Sequence, residues 1–78
     1  MTNQKMIEQF EARAAAERES GSTIEINERL PYVAVKYSND DEYFFQGEEA
    51  ENLINEAEAA FDGGINAEDY ILAIGQSW

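Results

Sequence analysis

The 78-residue sequence has no cysteine and no histidine, a single proline, and five basic residues against 17 acidic ones. Each shortage closes off a class of protein. Without Cys or His there can be no disulfide, no thiolate or imidazole metal centre, and none of the usual nucleophile–base pairs. Apolar stretches such as Tyr32-Val33-Ala34-Val35 and Tyr43-Phe44-Phe45 are short, whereas a membrane span takes about 20 residues. No apolar signal core follows MTNQKMIEQF, so a cytoplasmic protein is expected. The net charge of -12 repels nucleic-acid phosphates and anionic membranes and attracts basic partners. What remains is an ordinary share of apolar residues, 44%, and 12% aromatics, too many for a disordered acidic tail. One small folded domain over residues 1–78 is the expectation.

The charge is unevenly placed. Lys5, Arg13, Arg18, Arg29 and Lys36 all fall in the first 36 positions, and the remaining 42 carry eleven carboxylates and no cation. Residues 3–20 are rich in Ala, Glu, Arg and Gln and stop at Gly21, which reads as a helix with a left-handed cap. At 100° per residue Met6, Ile7, Phe10 and Ala14 share one narrow apolar arc. From Thr23 the period changes to two. Thr23-Ile24-Glu25-Ile26-Asn27 alternates as a half-buried strand does, Glu28 to Pro31 forms a turn, and Tyr32 to Tyr37 is a second strand with Val33, Val35 and Tyr37 on one side. Ser38-Asn39-Asp40-Asp41 supplies the next turn, and Glu42 to Gln46 completes a three-stranded antiparallel meander.

Helical period returns at Glu48 to Asp62, with Ala50, Leu53, Ile54, Ala57, Ala60 and Phe61 on one arc and Gly63-Gly64 as the stop. In the last segment Asn66 can cap a short helix through Tyr70, Ile71 and Ile74. The β-branched and aromatic run Tyr70 to Ile74 is compatible with a fourth strand; the helix is preferred. The expected class is α+β, a three-stranded antiparallel sheet with two or three helices in the order αβββαα.

Catalytic and ligand-binding readings find little support. Carboxylate pairs can hydrolyse glycosides only across a cleft, and a chain this short has little room for one. The runs Asp40-Asp41-Glu42 and Asp62 to Asp69 gather oxygens, but they miss the ligand offsets of a calcium loop. Gly63-Gly64 lacks a phosphate-loop lysine. A non-enzymatic protein with no cofactor and no metal is therefore expected.

The clearest chemical pattern lies in the second helix. Glu51, Glu58 and Asp62 share one flank, Glu49 and Glu56 the other, and Glu48 lies between, so its solvent face carries six carboxylates and no cation. The seven-residue steps are about 10 Å along a helix, and phosphates of one DNA strand advance about 3.4 Å per nucleotide. Such rows can meet some of the basic groups that grip a duplex; the plain alternative is a solvated, solubilising surface. Asp40, Asp41 and Glu42 at a hairpin tip and Glu68 and Asp69 after the glycines extend the excess, and together they can rim one edge of the sheet. Tyr32, Tyr43, Tyr70 and Trp78 are candidate aromatic anchors within that field.

In size, charge and texture, with the acidic stretch DEYFFQGEEAENLINEAEAAFDGG, the chain resembles small phage-encoded inhibitors of bacterial defence, including anti-CRISPR and DNA-mimic anti-restriction proteins. The resemblance implies life in a bacterial host cytoplasm and stoichiometric binding to a nuclease or CRISPR complex, blocking its positively charged path for nucleic acid. No direct binding to nucleic acid is expected, because of the negative charge. An acidic regulatory subunit or an antitoxin for another basic protein are the alternatives.

Overall fold

The computed structural model describes residues 4–75. Helix α1 (Gln4–Glu19) leads into strands β1 (Thr23–Asn27), β2 (Tyr32–Lys36) and β3 (Glu42–Gln46), followed by α2 (Glu48–Ala59), a short turn (Ala60–Gly63) and α3 (Ala67–Ile74). The strands form one antiparallel sheet in the order β1-β2-β3. This is the αβββαα, α+β arrangement that the change of hydrophobic period predicts. The last segment is helix rather than strand, and Trp78 lies outside the described residues. No helix among the described residues is long and apolar enough to cross a membrane.

Local chemistry explains the joints. Gly21 takes φ +103°, the Ser22 amide donates to the Glu17 carbonyl at 2.9 Å and the Gly21 amide to Arg18 at 3.1 Å; this paired left-handed cap satisfies carbonyls that the end of α1 would leave open. The Asn27 carboxamide oxygen accepts from the amides of Arg29 and Leu30 at 2.9 and 3.0 Å, folding the β1–β2 turn. Asn39 plays a similar part in the second hairpin by accepting from the Asp41 amide at 3.1 Å, while Asp40 adopts φ +72°. At the start of α3 the Asn66 side chain accepts from the Glu68 amide at 2.8 Å, an ordinary N-cap.

Register places Ile24 and Ile26 opposite Val35 and Val33, which in turn face Tyr43 and Phe45. These side chains meet α2 through Ala50, Leu53, Ile54 and Ala57, and α3 through Ile71 and Leu72. Buried Tyr37 donates its hydroxyl to the Leu72 carbonyl at 3.0 Å, satisfying a polar group that burial would otherwise penalise. It follows the last residue of β2, Lys36, so the strand ends one residue sooner than its alternation suggests.

Two helical expectations need correction. Met6 is 41% exposed, so α1 is held by buried Ile7 and Ala14 and by half-buried Phe10. Helix α2 ends at Ala59 instead of running to Asp62, because Phe61 and Asp62 take left-handed φ values of 51° and 56° before Gly63 at 79°. The early exit carries Phe61 off the α2 arc and onto Phe10, edge to face at 5.3 Å, while Phe10 also stacks on Tyr70 at 5.7 Å. Left-handed geometry costs about 1–2 kcal/mol per ordinary residue; aromatic contacts of about 0.5–1.5 kcal/mol each, with the area they bury, offset it.

Candidate functional site

The eleven carboxylates singled out by sequence do not gather on one rim. In the β2–β3 hairpin Lys36 pairs with Glu42 beside the turn, and Tyr32 with Gln46 at the far end, next to the start of α2. Asp40 and Asp41 are thus separated from Glu48 by the whole length of β3, more than about 13 Å at 3.4 Å per residue. Several of these acids have local work. Asp41 accepts from the Asn39 side-chain amide at 3.0 Å, and Glu42 lies 3.7 Å from the Lys36 ammonium. Arg18, arriving from α1, meets both acids of α3: it hydrogen-bonds Asp69 and lies 3.7 Å from Glu68. Asp62, off the helix, is exposed in the turn.

Helix α2 is different. Glu48, Glu49, Glu51, Glu56 and Glu58 are all exposed, and among the described residues none of them is in an ion pair. The first three sit in the opening turn, where the positive end of the helix dipole favours them. Glu56 and Glu58 stand near the other end, where no basic residue occupies the last turn and a carboxylate opposes the dipole. The two flanks have unlike surroundings. Glu51 and Glu58 line a cleft with Glu28, Arg29 and Pro31 of the β1–β2 turn, and Arg29 forms no ion pair with that row. Glu49 and Glu56 border an apolar strip with Phe45, Leu53 and Ile74. Tyr70 senses that side: its phenol is held above the ordinary tyrosine value, first by burial and then by the charge of Glu56.

Of the candidate aromatics, Tyr32, Tyr43 and Tyr70 are half-buried and take part in ring contacts within the fold. The aromatic that sequence reasoning passed over is Phe44, 60% exposed on the sheet face away from the helices. In Tyr43-Phe44-Phe45 a period of two sends the middle residue outward; that signal was present in the sequence. Phe44 stacks on Tyr32 at 5.9 Å, and the Tyr32 hydroxyl donates to Glu25 at 2.8 Å. That hydrogen bond, with smaller contributions from desolvation and the Glu25 charge, raises the Tyr32 pKa. Leu30, 71% exposed, lies in the β1–β2 turn.

Among the described residues no group of three or more acidic side chains is placed to hold a metal ion. Comparison with protein-family models, curated proteins and solved structures found no match to this chain.

Proposed function

We propose that the protein is a non-enzymatic inhibitor that binds the basic, nucleic-acid-handling surface of a host defence nuclease or CRISPR complex through the exposed carboxylates of α2. The observation that carries this reading is the contrast within the fold. Glu68 and Asp69 of α3 and Asp41 and Glu42 of the β2–β3 hairpin have partners inside the molecule, whereas the acids of α2 are presented to solvent with no ion pair among the described residues. Carboxylates that oppose the helix dipole and repel one another lower the stability of a domain with little to spare. Binding to a positively charged surface gives that arrangement a use.

At 1.5 Å per residue the twelve residues of α2 extend about 18 Å, the axial rise of roughly five base pairs. The helix imitates a short stretch of backbone charge, enough to occupy one basic channel or groove. The remaining surface contributes long-range steering through the net charge.

The test is capture of partners from a bacterial lysate on the immobilised protein, followed by competition on whatever is retained. A nucleic-acid-binding partner released by duplex DNA and by a few hundred millimolar salt, and retained poorly by Glu51→Lys/Glu58→Lys, supports the proposal. Charge reversal at Glu8 and Glu19 of α1 should leave retention nearly unchanged. Retention insensitive to salt and DNA, or an equal loss from both pairs of substitutions, overturns it.

A further inference from the structure

The helices cover one face of the sheet and leave the other open. On the open face the register sets Thr23, Lys36 and Glu42 in one row, Glu25, Ala34 and Phe44 in the next, and Asn27, Tyr32 and Gln46 in the third. The smallest side chain, Ala34, stands at the centre with large neighbours around it. The result is a shallow hollow of about 550 Å³ bounded by Thr23, Glu25, Ala34, Lys36, Glu42 and Phe44. It is wide enough to lay down a long side chain with its head group.

Its walls are chemically unlike one another. Phe44 gives one ring face to Tyr32 and still exposes 60% of its surface. Across the hollow stands the Glu25 carboxylate, fixed by the Tyr32 hydroxyl at 2.8 Å, which leaves the carboxylate with further lone pairs to offer. The cation on the rim, Lys36, is offset by Glu42 at 3.7 Å. The local balance of Glu25, Glu42 and Lys36 is negative by one charge, inside a protein of net charge -12.

We propose that this hollow receives an arginine side chain from a basic protein partner. The methylene stem lies over Ala34, the guanidinium plane packs on Phe44, and its N–H fork donates to Glu25. An aromatic face and a carboxylate side by side suit a planar, delocalised cation better than a compact ammonium, because only guanidinium can stack and fork at once. The inference rests on the same basic-partner reading as the proposed function. It adds a second contact area, on the side of the sheet away from the helix layer, with its own preference for arginine over lysine.

Hexa-arginine and hexa-lysine peptides, equal in charge, provide the test. Titrated into the 15N-labelled protein at low salt, hexa-arginine should bind about fivefold more tightly and shift the Ala34, Phe44 and Glu25 amides. Phe44→Leu, which keeps an apolar side chain but removes the ring, and Ala34→Leu, which fills the hollow, should each bring the two peptides to equal affinity while hexa-lysine binding stays as it was. Glu51→Lys/Glu58→Lys should weaken both peptides and preserve their ratio. If the wild-type protein binds both peptides equally, or if the arginine preference survives both hollow variants, the hollow is not an arginine site although the carboxylates of α2 still attract a basic partner. If neither peptide binds at low salt, the basic-partner reading itself falls, and this inference with it.

Discussion

Helices α2 and α3 both open with acidic residues, Glu48, Glu49 and Glu51 in one and Glu68 and Asp69 in the other, yet the fold treats them differently. The acids of α3 meet Arg18, which α1 brings across 51 positions of sequence. Those of α2 form no ion pair among the described residues. Their apolar faces differ in the same sense: α3 buries Ile71, Leu72 and Ala73 in succession, whereas α2 buries one stripe and turns the rest to water. The comparison separates acids that serve the fold from acids that the fold carries at a cost, and the second group is where a function is to be sought.

The comparison is most strongly tested in the core. Leu72 is fully buried beneath α1, α2 and the sheet, so Leu72→Ala should destabilise the domain by about 2–5 kcal/mol. In a chain of this size that is enough to leave much of the population unfolded. Urea titration followed by circular dichroism measures it, and a cost below about 1 kcal/mol would mean that α3 is not the central helix that its burial indicates.

The next effect is smaller and turns on sign. Arg18→Gln should lower stability by up to about 1 kcal/mol, since the ion pairs are partly exposed. Glu58→Gln, which removes an unpartnered charge from the unfavourable end of α2, should raise stability by about 0.3–1 kcal/mol. Added salt should shrink both changes. Changes of the same sign would erase the distinction between the two helices.

The smallest expected effect is spectroscopic. Tyr70 titrates above the ordinary tyrosine value because burial and the Glu56 charge both disfavour the phenolate. Glu56→Gln removes only the second cause, so the phenol should move down part of the way and remain elevated. A raised folded-state pKa stabilises the protein below the unfolded tyrosine value near 10, and that contribution disappears as pH rises through the folded value. The alkaline loss sets in near the unfolded value in both proteins, so in the variant it should be smaller and complete at a slightly lower pH. Ultraviolet difference titration, with Tyr70→Phe to assign the signal, reads the change; an unmoved Tyr70 would separate Glu56 from it.

Much of the fold was legible because it is decided by neighbours in the chain. The step from period 3.6 to period two and back located the helices and strands, and Gly21, Asn39 and Asn66 marked three of their joints through short-range backbone hydrogen bonds. The end of α2 was not legible. Its apolar period continues through Phe61, whereas the chain leaves the helix at Ala59 and sets the Phe61 ring against Phe10 of α1, a contact between residues distant in sequence. The candidate site was legible in composition and not in arrangement: α2 does expose its carboxylates, but Asp62 is off the helix, and Asp40 and Asp41 stand at the far end of β3.

By itself the sequence determined the sign of the charge, the order of the elements and the turn chemistry between them, because those depend on residues a few positions apart. Tertiary structure alone decided that the acids of α3 are matched by a cation from α1 and that one face of the sheet is left to solvent. Arg18 reaches Glu68 and Asp69 only after α1 has packed on α3. The alternation of β3 sends Phe44 to one side and Phe45 to the other, and the placing of all the helices on a single side leaves Phe44 exposed, beside a small alanine and a held carboxylate.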